Sequence, residues 1–311
     1  MRGLHKEFEA LGKNGVKVRF RESMSRHTSL ATGGDAEIFA EVKTLEELKR
    51  VLALVRKNKL PLFIIGAGSN LLVSHYGIKG VVGQLKNDFC NVAFLTAKDK
   101  NTGTVKADTA TVRAGAGTML PLLVKRCVDL EFTGFESLVG IPGSVGGSLV
   151  MNAGTNEGNI SDKLISVKII GIEGAVSVLE KEEISFGYRK SGLEGKIVLE
   201  ADFLLKKDEK SAILKRITEN LLKRSQTQPL SSHSAGSIFK NPPGGFAGKL
   251  IEECQLKGYK MGGAQVSEKH ANFIINTGNA TPSDIQNLIM EVRRRVNEKF
   301  GINLELEIKI I

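Results

Sequence analysis

With 311 residues, 41% hydrophobic and 25% charged, the chain has the composition of an ordinary soluble protein of two or three domains. Its three cysteines are far apart and its five histidines lack ligand-like spacing, which argues against a disulfide framework and against a metal site. The net charge of +10 comes from dispersed Lys and Arg, with only 5% aromatic residues and no nucleic-acid motif, so a small polyanionic ligand suits it and nucleic acid does not.

Met1 to Phe20 is polar and charged without the apolar centre of a signal peptide, and no run approaches membrane-spanning length. A cytoplasmic protein with no membrane partner is expected. Ala36–Val42 alternates as a strand does, and Thr44-Leu45-Glu46-Glu47 forms a capping box. Leu45, Leu48, Val51, Leu52 and Val55 then recur at helical spacing up to the break at Asn58–Pro61. The apolar run Pro61–Ile65 ends in Gly66-Ala67-Gly68-Ser69-Asn70, small residues that let backbone N–H groups approach a phosphate. Residues 30–84 thus read as a β-α-β unit. The dinucleotide fingerprint needs a third glycine and a helix opening at the loop, whereas Leu71-Leu72-Val73 and Gly77–Val82 continue as strand. A Rossmann fold is therefore disfavoured. Alone, this loop suits a plain turn as well as a phosphate cradle.

Residues 85–226 are richer in strands, with Thr111–Gly117, Ile165–Ile170 and Lys196–Ala201 as candidates and a helix starting after Thr118. The polar Lys98–Gly103 reads as a hairpin loop. A second glycine-rich stretch runs from Gly140 to Ser148 and is followed by Met151-Asn152-Ala153-Gly154. One long anion, such as a flavin dinucleotide pyrophosphate, would account for both loops, with side-chain hydrogen bonds from Ser69, Asn70, Ser144 and Asn152. The alternative is a pair of tight turns. Cys127 and Cys254 lie in apolar helical patterns and read as buried core thiols.

Residues 227–300 open with a Ser/Gly/Pro-rich segment, followed by a helix around Leu250, Ile251 and Cys254 that ends near Gly258. Thr281 caps a final helix with Pro282 as its first residue and Ile285, Leu288, Ile289, Val292 and Val296 as its apolar face. Arg293-Arg294-Arg295 then lies on a solvated face. The alternating Leu304–Ile310 predicts a strand with Glu305, Glu307 and Lys309 on one side.

Five stretches taken together carry a resemblance: Gly66–Asn70, Gly140–Gly147, Tyr188-Arg189-Lys190-Ser191, Ala235–Pro242 and Leu304–Ile308. In this order they resemble the UDP-N-acetylenolpyruvoylglucosamine reductase family, from about residue 25 to the end. The short link from Tyr188-Arg189 to Lys196–Leu199 is similar to the family's second subtype, which lacks an inserted tyrosine-bearing loop. The resemblance implies an α+β flavoprotein of three domains. Residues 1–84 with 301–311 and residues 85–226 would form a vanillyl-alcohol-oxidase-type FAD-binding fold, and 227–300 a substrate-binding domain. It also implies FAD, NADPH as hydride donor and a UDP-sugar enolpyruvate substrate; because the two loops supply pyrophosphate contacts and no residue is assigned to attachment, the FAD is expected without a covalent bond, and no obligate protein partner is evident. The cofactor would lie on Gly66, Ala67, Gly68, Ser69, Asn70 and Leu71, and on Gly140, Ile141, Pro142, Gly143, Ser144, Val145, Gly146, Gly147, Asn152 and Gly154.

By the same resemblance Arg189, Ser237 and Glu307 are catalytic. Arg189 faces charge developing on the substrate, Ser237 supplies a proton and Glu307 orients the enolpyruvyl carboxylate. Tyr188, Arg224, Lys240, Asn241 and His270 match substrate-side positions, with Lys240 a source of positive charge for Ser237. Where the family commonly reads Lys-Gln-Pro, this chain has Thr227-Gln228-Pro229, which puts one diphosphate contact in question. From the two loops alone, an FAD oxidase acting on an alcohol or hydroxy acid and a non-catalytic nucleotide module remain open.

Overall fold

The computed structural model describes residues 2–13, 15–98 and 105–311. Residues 99–103 of the expected hairpin loop lie outside the described residues. The α-helices are α1 Arg2–Lys13, α2 Leu45–Lys57, α3 Leu120–Asp129, α4 Val145–Val150, α5 Lys210–Thr227, α6 Ala247–Glu253 and α7 Pro282–Phe300. Thr44 caps α2 by accepting from the Glu47 N–H at 3.2 Å, but the Glu47 carboxylate reaches back to the N–H of Lys43, one residue further than a capping box requires. At α7 both arms of the box form between Thr281 and Asp284, and Gly301, at φ 70°, closes the other end. Arg293 and Arg294 of α7 are exposed as expected, whereas Arg295 is part-buried over the Tyr259 ring; Arg294 and Arg295 pair with Glu291 and Arg294 also with Glu298.

Residue contacts divide the chain into two compact units, the first Met1–Arg19, Phe39–Gly66 and Val81–Leu222, the second Phe20–Ile38, Ala67–Gly80 and Lys223–Ile311. In the first, Leu62–Ile65 pairs in parallel with Val81–Gln84, as a β-α-β unit requires. A larger antiparallel sheet follows in the order Val176–Glu180, Leu164–Ile170, Ile197–Lys207, Val105–Gly115, Val92–Lys98, with Phe132–Thr133 also paired to Ile197–Lys207. Val112, Ala114, Val167, Ala201 and Phe203 are buried, and the Phe203 ring meets Phe135 edge-on at 5.1 Å. Helix α3 buries Leu120, Leu123, Val124 and Cys127. Burial pushes the Cys127 thiol up to about 12, which makes it the inert core thiol expected.

The second unit holds an antiparallel sheet in the order His233–Ser237, Phe273–Asn276, Ala264–Val266, Lys260–Met261. Ile238, Phe239, Ile251, Ile285, Leu288, Val292, Val296, Leu304 and Ile308 share one buried core. Three expectations need correction here. Helix α6 stops at Glu253, well before Gly258, because the chain turns there and Leu256 returns into the core. Cys254 is only partly covered, its thiol lying 3.7 Å from the Arg295 carbonyl. The terminal segment is not one strand: Leu306 bridges Phe239, the chain bends at Glu307 and Ile308, and Lys309–Ile310 pairs in parallel with Leu71–Leu72. Leu304 and Ile308 are buried as the alternation requires, but the segment changes partner between them.

Candidate active site

In the first unit, the stretch from Gly140 to Gly147 wraps into the start of α4. Ser144 caps this helix, and its hydroxyl accepts from the Gly147 N–H at 3.4 Å. Other amides of the loop are committed to the protein: Ile141 donates to Leu138, Val145 to Thr118 and Gly146 to Ala116. Among the described residues the N–H groups of Gly143 and Ser144 have no protein acceptor, so they are the ones able to serve an anion. Gly66 faces this cap so closely that a Cβ there would lie 2.1 Å from the Ser144 hydroxyl oxygen. The close approach requires glycine.

At the other end of α4, a short hairpin pairs Phe186–Gly187 with Lys190–Ser191 and leaves Tyr188 and Arg189 at its tip. The Asn152 side chain donates to the Gly187 carbonyl at 3.1 Å, and the Ser191 hydroxyl donates to the Val150 carbonyl at 2.9 Å. Both hairpin strands are thereby pinned to the end of one helix. Arg189 sits at φ 54°, the left-handed region in which a non-glycine residue costs about 1–2 kcal/mol. Its guanidinium carbon lies 5.1 Å from the centre of the exposed Tyr188 ring, a cation–π contact that restricts where the charge can go. Asn152, itself buried and at φ 43°, leads into Gly154, where a Cβ would lie 2.4 Å from the Gly158 carbonyl oxygen.

In the second unit, Gly68 has φ 65° and a Cβ there would fall 1.9 Å from the His27 carbonyl oxygen. The turn it makes leaves the N–H groups of Ala67, Gly68 and Asn70 without a protein acceptor among the described residues. Successive free amides of this kind suit a diphosphate, and Leu71 continues directly into the short parallel pairing with Lys309.

Ser237 ends the strand His233–Ser237, which bulges at Ala235–Gly236 with Gly236 at φ 74°. The chain beyond it is held on both sides. Ile238 donates to the Asn272 carbonyl, and the buried Asn272 side chain accepts from the Phe239 N–H at 3.0 Å and donates to the Phe239 carbonyl at 2.8 Å. On the other side the Glu307 N–H donates to the Ile238 carbonyl at 2.8 Å, and the Lys240 N–H to the Glu305 carbonyl at 2.8 Å. The main chains of Ser237 and Glu307 are therefore near neighbours across this pairing, with Glu307 bonded to the residue after Ser237. The Ser237 hydroxyl is half-buried and makes no hydrogen bond among the described residues.

The remaining residues are placed less uniformly. The Lys240 ammonium lies 3.5 Å from the exposed carboxylate of Glu305, which partly neutralises it. The Asn241 side chain accepts from the Ala247 N–H at 3.0 Å and so helps start α6. The Nδ1 of His270 accepts from the Asn272 N–H at 3.2 Å, and burial lowers the pKa of the ring. A neutral imidazole bearing its proton on Nε2 follows. Arg224, in the last turn of α5, is half-buried, and burial lowers its pKa from the ordinary arginine value. Thr227 ends the same helix, exposed, with its hydroxyl donating to the Lys223 carbonyl at 2.8 Å. The supporting roles of Asn272 and Ser191 have no counterpart in the sequence reading, although Ser191 lies within the Tyr188–Ser191 stretch and Asn272 two residues after His270. Their partners, Phe239 and Val150, have no sequence signal that marks them.

A profile of the UDP-N-acetylenolpyruvoylglucosamine reductase C-terminal domain matches residues 228–311, and one of an FAD binding domain matches residues 36–179. The UDP-N-acetylenolpyruvoylglucosamine reductase of Lachnoclostridium phytofermentans is 43% identical over 297 residues, covering 95% of this chain and 93% of its own. Among solved structures, the UDP-N-acetylenolpyruvylglucosamine reductase of Thermus caldophilus matches with a TM-score of 0.79 and 39% identity, covering 95% of this chain and 98% of that one. The BBE-like 1 protein of Physcomitrella patens shares the fold, with a TM-score of 0.53 at 14% identity over 94% of this chain and 88% of that one.

Proposed function

We propose roles for Arg189, Ser237 and Glu307 in the reaction of the UDP-N-acetylenolpyruvoylglucosamine reductase family, to which this chain belongs. It is an FAD-dependent oxidoreductase that uses NADPH to reduce UDP-N-acetylglucosamine enolpyruvate to UDP-N-acetylmuramate, a step of peptidoglycan precursor synthesis. The fold is α+β, with an FAD-binding part of the vanillyl-alcohol-oxidase type and a C-terminal domain particular to the family.

When bound, FAD would supply the hydride chemistry between NADPH and the enolpyruvyl double bond. The free amides of Ala67, Gly68 and Asn70 in the second unit, and separately those of Gly143 and Ser144 in the first, are groups able to bind phosphate oxygens of such a cofactor. Hydride arriving at the β-carbon pushes charge into an enolate conjugated with the substrate carboxylate. The Arg189 cation, held at a strained turn, stabilises that charge more than the ground state. Glu307 orients the carboxylate end of the substrate, and the Ser237 hydroxyl protonates the α-carbon. The observation behind this assignment is the Glu307-to-Ile238 hydrogen bond, which sets the carboxylate's main chain one residue from a serine whose hydroxyl is uncommitted. A three-way division of labour is part of the proposal, with 1–84 plus 301–311 and 85–226 serving FAD and 227–300 serving the substrate. No helix of the described residues is long and apolar enough to cross a membrane. We take the enzyme to act in the cytoplasm without nucleic acid, membrane or obligate protein partner.

The experiment that tests the function is anaerobic mixing with NADPH and then with the enolpyruvyl substrate, following flavin absorbance. Colour should be lost in the first mixing and return in the second. Loss of colour with a hydroxy acid and no response to NADPH would point to an oxidase instead. The purified protein should also be yellow from FAD held without a covalent bond, and acid precipitation should leave FAD in the supernatant. Colour retained in the pellet, or FMN in solution, would contradict this.

Thr227→Lys restores the ammonium common in the family at an exposed helix end. It should lower the Michaelis constant for the UDP-sugar substrate by up to about one decade, an effect that shrinks with added salt. An unchanged constant at two salt concentrations would mean that another cation already serves the diphosphate.

A further inference from the structure

We propose that Asn70 is a positioning residue for Glu307, so that the loop suited to the diphosphate also fixes the catalytic carboxylate. The inference rests on the assignment of Glu307 to the substrate and concerns how that residue is held. Three polar groups of Asn70 have three separate tasks. Its side-chain amide donates to the Glu307 carbonyl at 3.2 Å, and its main-chain carbonyl accepts from the Lys309 N–H at 3.0 Å. Its own N–H has no protein acceptor among the described residues and remains for an anion in the loop.

The clamp falls where the terminal segment changes partner. Leu306 is bridged to Phe239 on one side of the bend and Lys309 is paired with Leu71 on the other, so Glu307 and Ile308 lie between two partners. Ile308 is buried, which fixes its side chain in the core. The Glu307 main chain is held by its N–H bond to Ile238 and, at its carbonyl, by Asn70. A donor is required at this point because the group opposite is a carbonyl. Aspartate has the size of asparagine but would set a carboxylate against that oxygen, and alanine would leave it without the bond. A shift of about 1 Å in a reacting group is enough to cost on the order of 100-fold in rate.

The test uses the FAD-loaded enzyme and a double-mutant cycle. Asn70→Asp and Asn70→Ala are each made alone and together with Glu307→Gln, and the return of flavin colour on adding the enolpyruvyl substrate is followed by stopped flow. Alone, each Asn70 variant should slow that step by about 10- to 100-fold, beyond any change in bleaching by NADPH. In the Glu307→Gln background the same substitutions should add little, because the group they displace no longer acts. Asn70→Gln, which keeps the amide one methylene further out, should recover part of the rate. Equal slowing in both backgrounds, or a native rate for Asn70→Asp, overturns the proposal. So does loss of bound FAD in every Asn70 variant, since the residue would then serve the loop alone. A native rate for Glu307→Gln by itself refutes the role of Glu307 instead, which separates the two failures.

Discussion

Ser237→Ala is expected to bleach with NADPH at nearly the native rate, while the return of colour with the enolpyruvyl substrate slows by roughly two to four orders of magnitude. The two steps separate because reduction by NADPH requires no proton on a substrate carbon. The hydroxyl is suited to the second step by what it lacks: half-buried at the end of its strand, it makes no hydrogen bond among the described residues that would have to break first. Alanine removes the donor and little volume, and the main chain beyond it stays pinned between Asn272 and Glu307. Stopped-flow absorbance reads both steps on one sample. A native rate of colour return in the variant would remove Ser237 as the proton donor.

Arg189→Lys should slow the same step by roughly 100- to 1,000-fold, the range for losing one fixed group that stabilises transition-state charge. An ammonium keeps the charge but not the planar fork that faces a carboxylate, nor the stacking on Tyr188. Arg189→Gly makes a complementary case. Glycine adopts φ 54° without strain, so the hairpin should be no less stable than in the native protein while activity is lost. Thermal melting beside turnover measures this. A clear drop in melting temperature for the glycine variant would show that the arginine is kept for stability and not for charge.

Legibility in the sequence followed the range of the interaction concerned. Helices α2 and α7 announce themselves through local caps at Thr44 and Thr281 and an apolar face that repeats with the helix period. Helix α5 carries Ile213, Ile217 and Leu221 at helical spacing, a local signal the sequence does offer, although among its residues only Ile213 is buried. His233–Ser237 reads as a polar loop yet forms a strand, because pairing with Phe273–Asn276 outweighs local preference. The same limit applies to the candidate site. Gly66 and Gly68 read in the sequence as small residues that let amides approach a phosphate, but their close packing on Ser144 and His27 does not show there, and which amides of the second loop stay free depends on carbonyls of residues 116, 118 and 138. The bend at Glu307 was hidden by a regular alternation that the core obeys and the backbone pairing does not.

The clamp on the terminal segment also bears on the order in which the polypeptide matures. Asn70 and Glu307 are 237 positions apart, and among the described residues Leu71–Leu72 has its parallel partner in Lys309–Ile310. At about 5–20 residues per second, ribosomal synthesis delivers that partner roughly 12–47 s after the glycine-rich loop. Through that interval Leu71 and Leu72 lack the strand that covers their edge, and closing so long a loop carries the entropic cost that makes non-local pairing slow. Support of the nucleotide loop is thus tied to a segment made much later: the loop is synthesised early, and the strand that covers Leu71 and Leu72 follows long after it.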